Sequence, residues 1–316
     1  MKRLFIYTSI VLLLAASCAQ NRKTAKFVPV PFPAASVPGM ITDQNEAAGY
    51  LALHYWDGLT DVERTYPSDS LTVSGVRKTE VEQKFADWTA VLSMTAPSVV
   101  EKSVARMYDR ALACERKNPS SNVFETFQDF AYKYLYDPNS PVRNEDIYCH
   151  FVKRLASYEG LTPEMRDKYA YDAQMCSLNK VGTVAADFRF ADKAGRIRTL
   201  HSIKAPLTLL FFSNPGCDMC YDIITVLSGS QKVSDMIASG ELAVLNIYID
   251  EDLEAWKSYM PIYPKEWYNC FDPDLVIRGD KLYNVRAIPS LYLLDSEKKV
   301  LLKDAPERVL FQALGL

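Results

Sequence analysis

The stretch Ser213-Asn214-Pro215-Gly216-Cys217-Asp218-Met219-Cys220 decides how the rest of the chain is interpreted. It follows the apolar run 207–212, which has the length and bulk of a buried strand, and it precedes the run 221–227, which is typical of a helix. A Cys-x-x-Cys pair therefore lies where a strand ends and a helix begins, and the free N–H groups and helix dipole there favour a thiolate. This placement predicts Cys217 as the accessible nucleophile and Cys220, one turn further on the same face, as the buried resolving thiol.

A second signal lies further along the chain, at Ile288-Pro289. Proline cannot donate to a β-ladder, so it belongs at a strand start or in a special turn, and here it precedes the apolar run 290–294. Together with the two cysteines, this pattern resembles the thioredoxin family, whose Ile-Pro pair is cis and faces the Cys-x-x-Cys. The resemblance covers about residues 180–316. Within it, residues 182–190 are similar to the opening hairpin of TlpA-like extracytoplasmic thiol–disulfide oxidoreductases.

The resemblance implies an α/β thioredoxin fold over residues 179–316 and a function in dithiol–disulfide exchange that requires no metal or organic cofactor. It also implies that substrate backbone bonds to Ile288 and that Pro289 keeps metals off the thiols. The expected partners are protein disulfide substrates and a membrane reductant that donates electrons.

Three residues around the cysteines depart from thioredoxin itself. Gly216 replaces the tryptophan that usually precedes the first cysteine, which loosens the shielding of the site. Phe211 stands where thioredoxin has a buried acid, so the base that deprotonates Cys220 is not identified. The Asp218 carboxylate opposes a thiolate on Cys217, and we therefore expect a raised pKa for that thiol and a reducing pair.

The N-terminus has the pattern of a secretory signal over residues 1–17. A charged Lys2-Arg3 start precedes an apolar run over 4–14, which is too short to span a membrane. Small residues then end in Cys18, and this arrangement resembles a bacterial lipobox, although Ala15 occupies the position where leucine is usual. We expect Cys18 to be acylated and the protein to be a periplasm-facing lipoprotein of the cell envelope; simple secretion is the alternative. The proline-containing residues 18–42 are expected to form an extended tether.

Residues 43–178 are predicted to form an all-α domain, because apolar residues recur at helical spacing between breakers. The clearest stripe is Val81, Phe85, Trp88 and Leu92, and another follows Pro97. In all, six helices are expected. The domain resembles the helical domain of unassigned function that precedes thioredoxin modules in Bacteroidetes-type lipoproteins.

Composition excludes some classes of function. The 316 residues are 48% hydrophobic and 24% charged with a net charge of −3, and the absence of basic runs argues against a nucleic-acid partner. Four further cysteines, Cys114, Cys149, Cys176 and Cys270, could pair in three ways. We expect the first three of them to be buried thiols in helices. For Cys270, a redox role is an alternative.

Other functions on the same fold fit less well. A peroxidase would use a lone peroxidatic cysteine, and a copper carrier would need a histidine close to the cysteines, whereas His201 lies before the strand. The remaining alternative is a cell-envelope binding lipoprotein whose helical domain recognises a peptide or a glycan, with the thioredoxin-like domain secondary.

Overall fold

The computed structural model describes residues 28–66 and 70–316. Within these ranges the chain has a helical N-terminal part and a C-terminal mixed sheet, as predicted. The helical core draws its side chains from residues 52–176, and the two apolar clusters on the faces of the sheet draw theirs from residues 185–314. The predicted signal segment 1–17 and Cys18 lie outside the described residues.

The described part of the N-terminal domain contains the six predicted helices. The second helix shows why the pattern succeeds, because Val81, Phe85, Trp88 and Leu92 are all fully buried along one face. Pro97 opens the third helix, where its missing N–H costs nothing. The helices are α1 (Gln44–His54), α2 (Lys78–Ser93), α3 (Pro97–Lys117), α4 (Val123–Ala131), which continues into a π-helical turn (Tyr132–Tyr136), α5 (Glu145–Ala156) and α6 (Pro163–Cys176). No helix in the described ranges is long and apolar enough to cross a membrane.

The all-α prediction for this domain is incomplete, because a small hairpin joins β1 (Thr72–Val73) to β2 (Val76–Arg77). Its two turn residues both have positive φ, 47° at Ser74 and 77° at Gly75, as a tight hairpin turn of the right twist requires. Strands of two residues are too short to show an alternating pattern, so only the Ser-Gly turn marked the hairpin in the sequence.

The predicted tether over residues 18–42 is wrong for its later part, since this segment packs against the helical domain. The Val30 N–H donates to the Gly75 carbonyl at 3.0 Å, and the Phe32 N–H donates to Glu80 Oε1 at 2.8 Å. The Phe32 ring lies 5.7 Å from that of Trp56. Burying an aromatic ring and satisfying two backbone donors stabilises a fixed path that proline content alone does not reveal.

The C-terminal sheet has seven strands in the described residues, in the order β4-β3-β7-β6-β5-β8-β9. The strand that leads to the two cysteines, β5, is central: it is parallel to β6 and antiparallel to β8. The strands are β3 (Arg189–Asp192), β4 (Ile197–Thr199), β5 (Leu207–Phe212), β6 (Leu242–Tyr248), β7 (Tyr268–Phe271), β8 (Ser290–Leu294) and β9 (Val300–Leu302). The β–α–β unit followed by a hairpin confirms the predicted thioredoxin order, whereas β7, inserted between β6 and β3, was not predicted.

In the described part of this domain, four α-helices and a short 3-10 helix (Leu200–Ser202) accompany the sheet. The helix after β5 begins directly beyond Cys217, and the closing helix ends at a glycine in the left-handed region, Gly315. The helices are α7 (Asp218–Gly229), α8 (Gln231–Ala238), α9 (Leu253–Tyr259) and α10 (Glu307–Leu314). The C-terminal end of the central strand β5 therefore meets the start of α7, and the candidate site lies at this junction.

Candidate active site

The Cys-x-x-Cys pair is fixed by the strand-to-helix junction that the sequence predicted. Cys217 is the N-cap residue of α7, and its Sγ accepts a hydrogen bond from the Cys220 N–H at 3.1 Å. A helix N-terminus leaves such N–H groups free, and together with the helix dipole they favour negative charge on the sulfur. The protein therefore holds a donor where a Cys217 thiolate would need one.

The two cysteines form a disulfide bond, with their Cα atoms 5.2 Å apart. Cys217 is half-buried, whereas Cys220 is only 2% exposed and belongs to the apolar cluster beneath α7. A disulfide partner can therefore approach Cys217 and not Cys220. This asymmetry is the one that a nucleophile and a resolving thiol require.

The Ile288-Pro289 segment lies at the C-terminal end of β5, since Ser290 pairs with Phe212, the last residue of that strand. Its peptide bond is cis, as the resemblance to thioredoxin implied, and β8 begins at the next residue, alongside β5. Ile288 and Cys217 both pack against the cluster that contains Cys220. Both elements therefore lie at the same end of β5 and pack on one apolar cluster, although they are far apart in the sequence.

Gly216 and Asp218, the two residues expected to influence the cysteine pair, also lie at the junction of β5 and α7. Gly216 is exposed, and its φ of +74° lies in the left-handed region. Since an added side chain would meet open space there, the backbone conformation, rather than crowding, explains glycine where a tryptophan was expected. Asp218 is exposed in the first turn of α7, next in sequence to Cys217.

A series of buried side-chain hydrogen bonds near the site was not predicted from the sequence. The Ser213 hydroxyl donates to Asn246 Oδ1, and Asn246 Nδ2 donates to Asn269 Oδ1 at 3.1 Å. The Asn269 amide in turn donates to the Pro264 carbonyl at 2.7 Å. An asparagine within the apolar run of β6 was the available signal, because a buried amide needs partners. This series contains no carboxylate, so it does not replace the acid that Phe211 displaces.

The loop before Cys217 is anchored by a charged contact that was also not predicted. The Asn214 side-chain amide donates to Asp250 at the end of β6, and Arg278 pairs with the same carboxylate. Asp250 and Arg278 also line an open cleft of about 640 Å³ that contains Glu251 and Asp252. The cysteine loop is thereby tied to the neighbouring strand.

The other four cysteines are buried free thiols in the described structure. The three in helices have this form as expected, and burial raises the pKa of both Cys114 and Cys176. Cys270 lies in β7, and burial raises its pKa to about 12. A thiol that stays protonated at neutral pH is a poor nucleophile, so the alternative redox role for Cys270 has no support.

Two of the three histidines have side-chain contacts in the described structure. His54 Nδ1 lies 2.8 Å from Asp57 Oδ2, and Arg106 binds the same carboxylate. His201 Nε2 lies 2.8 Å from the Ala185 carbonyl oxygen. In the ranges that the structure describes, no group of three or more His, Cys, Asp or Glu side chains could hold a metal ion.

The fold and the paired cysteines define a thioredoxin-like protein with a helical N-terminal domain. A family model described as "Domain of unknown function (DUF5106)" matches residues 15–179, just over half of the chain. A thioredoxin-like protein from Bacteroides caccae is 31% identical, with 91% of this chain and 99% of that chain covered and a TM-score of 0.76. The chain therefore belongs to the DUF5106 family and, through its C-terminal domain, to the thioredoxin-like proteins.

Two other solved structures cover less than half of this chain. The C-terminal domain of an uncharacterized protein from Bacteroides fragilis is 43% identical over 44% of this chain and 99% of that chain, with a TM-score of 0.42. The thioredoxin domain of a thiol-disulfide oxidoreductase from Bacteroides vulgatus is 19% identical over 43% of this chain and 95% of that chain, with a TM-score of 0.37. A comparison with curated proteins gave no match.

Proposed function

We propose that the protein is a thiol–disulfide oxidoreductase that works as a reductase through Cys217 and Cys220. The observation that carries this proposal is the disulfide at the N-terminus of α7, with one sulfur accessible and the other buried against the same cluster as Ile288. A disulfide buried on both sides would be structural, whereas this one presents a single sulfur to a partner. Membership of the thioredoxin-like proteins supports the same reaction.

The reaction consists of two exchanges between sulfurs. The Cys217 thiolate attacks a substrate disulfide, whose S–S bond breaks as a mixed disulfide forms and one substrate sulfur leaves as a thiolate. The Cys220 thiolate then attacks Cys217 Sγ, which forms the intramolecular disulfide and releases the second substrate sulfur. Each leaving thiolate takes a proton from solvent. Two electrons pass to the substrate, and a membrane reductant carrying a dithiol restores the pair.

The proposed direction follows from Asp218, and replacing this residue tests it. In Asp218→Asn the carboxylate that opposes a Cys217 thiolate is gone, so the reduced form is stabilised and the reduction potential becomes less negative. We expect a rise on the order of 30 mV, which corresponds to about 1.4 kcal/mol for a two-electron couple. The measurement is equilibration with dithiothreitol followed by thiol trapping.

Asp235→Asn is a matched control, since Asp235 is an acid on the neighbouring helix α8, outside the junction that carries the cysteines. Its potential should equal that of the wild type. A potential for Asp218→Asn that is unchanged or more negative contradicts the electrostatic argument.

We also propose that the protein is anchored to the cell envelope through an acylated Cys18 and faces the periplasm. The support is the signal-like pattern over residues 1–17 that ends at this cysteine. We expect full-length protein to fractionate with membranes and Cys18→Ala to be recovered without acyl chains. Mass spectrometry of the mature N-terminus checks this. An unmodified N-terminus in the wild type would contradict the anchor and favour simple secretion.

A further inference from the structure

A cluster of buried charges joins the two domains. The helical domain contributes Arg143 and Glu145, and the thioredoxin-like domain contributes Arg286, Lys303 and Asp304. None of the five side chains is more than 10% exposed, and that of Glu145 is fully buried. Charged side chains are rarely buried unless they are paired, so each member of this cluster depends on the others.

Glu145 is the centre of the cluster. Its Oε1 lies 3.0 Å from Arg286 Nε, and its Oε2 lies 2.8 Å from Lys303 Nζ. The Asn284 side-chain amide also donates to Oε1. A carboxylate of the helical domain is therefore paired with two cations of the other domain and accepts a hydrogen bond from Asn284.

The cluster holds both ends of the Ile288-Pro289 segment. On the N-terminal side, Asn284 and Arg286 contact Glu145, as described above. On the C-terminal side, the Ser290 hydroxyl donates to Asp304 Oδ1 at 2.7 Å, and Arg286 Nη2 donates to Asp304 Oδ2 at 2.6 Å. The Ile288-Pro289 segment is thus connected through side chains to the helical domain.

Further contacts keep the helical domain against this segment. The Arg286 guanidinium lies 4.2 Å from the centre of the Tyr136 ring, a distance at which a cation and an aromatic face attract. Lys281 of the thioredoxin-like domain contacts the hydroxyl of Tyr171 on α6. Arg143 donates to the Asp304 and Ala305 carbonyls, each at 2.9 Å.

We propose that the helical domain is a positioning element for the redox site, in which Glu145, through Asn284 and Arg286, holds the Ile288-Pro289 segment where it receives the peptide backbone of a disulfide substrate. This inference rests on the function proposed above. Buried ion pairs contribute little net stability compared with apolar contacts, and in some proteins they specify one arrangement of the groups around them. Here the arrangement that they would specify is that of the Ile288-Pro289 segment before β8.

Exchange rates with two small disulfide substrates distinguish a loss of substrate positioning from a general loss of reactivity. Glutathione disulfide carries peptide groups that can bond to the Ile288 backbone, whereas dithiobis(nitrobenzoic acid) carries none. We expect Glu145→Gln to lower the rate with glutathione disulfide by about tenfold, since a misplaced positioning group costs up to about a hundredfold. The rate with the aromatic disulfide should remain within about twofold, because attack by the thiolate itself needs no peptide contact.

Asp109→Asn is the matched control, since Asp109 forms an exposed ion pair with Arg154 in the helical domain. It should change neither rate. Asn284→Ala is the second variant: it removes the amide that donates to Glu145 Oε1 and leaves Glu145 and Arg286 in place, so it tests the same connection if Glu145→Gln fails to fold. We expect it, too, to lower the rate with glutathione disulfide more than the rate with the aromatic disulfide.

Each outcome decides between the two proposals. A folded Glu145→Gln or Asn284→Ala protein whose two rates are unchanged, or fall together, overturns the positioning role and leaves the proposed function intact. A wild-type protein whose reduced pair reacts with neither disulfide overturns the proposed function, and this inference with it.

Discussion

Replacing Cys217 with serine is expected to lower the rate of disulfide exchange by at least about 10³-fold, because the residue that forms the covalent intermediate has no substitute. Cys217 is the only one of the pair that a partner can reach, since Cys220 is 2% exposed. A serine hydroxyl at this position would be a far weaker nucleophile at neutral pH, even with the Cys220 N–H beside it. The measurement is the rate at which the reduced protein reacts with glutathione disulfide.

Cys220→Ser should behave differently. Cys217 still attacks, but nothing resolves the mixed disulfide, so the protein accumulates as an adduct with glutathione that mass spectrometry detects. Cys270→Ser is the matched control, because Cys270 is a buried thiol in the same sheet whose pKa is raised to about 12, and it should retain the wild-type rate. Exchange that persists in Cys217→Ser, or stops in Cys270→Ser, contradicts the assignment.

Phe85→Ala is expected to reduce the free energy of unfolding of the helical domain by about 3–5 kcal/mol, the usual cost of truncating a buried phenylalanine. Phe85 is fully buried, and its ring lies within 6.2 Å of those of Trp56, Trp88 and Phe151. Removing it opens a cavity among large rings that cannot collapse around an alanine. Urea unfolding followed by circular dichroism measures the change.

Met94→Ala provides the comparison, since Met94 directly follows α2 and is 69% exposed. An exposed substitution usually changes stability by less than about 0.5 kcal/mol. If Phe85→Ala lowers the free energy of unfolding by less than about 1 kcal/mol, the aromatic cluster is not the core of this domain. The helical domain would then lack the rigid core on which the proposed role of Glu145 depends.

The sequence predicted the helices, the main strands and the position of the cysteine pair, because each depends on residues that are close together in the chain. The apolar run of β5 and the helical run of α7 place the cysteines at their junction, and Ile288-Pro289 stands before an equally apolar strand. The six helices follow from apolar stripes such as that of α2. In each case the spacing of apolar residues within the segment is enough to predict which face is buried.

Features that depend on distant partners were not predictable in this way. β7 has four residues, and its strand conformation depends on pairing with β6 and β3. Phe32 packs on the rings of Tyr55 and Trp56, which follow α1. Because these partners lie more than twenty residues further along the chain, the proline content of the Phe32 segment indicated only an extended tether. Glu145 stands at the first turn of a helix, where an acid is ordinarily explained by the helix dipole; only the fold shows Arg286 and Lys303 facing it.

The most direct test of the proposed function is the reduction potential of the Cys217–Cys220 pair, measured by equilibration with dithiothreitol or glutathione and thiol trapping. We predict a value near or below roughly −250 mV, in the range of reductases such as thioredoxin. A value near roughly −120 mV would place the pair with the strong oxidants and contradict the proposed direction. If the pair does not exchange at all, the proposed reaction itself is wrong.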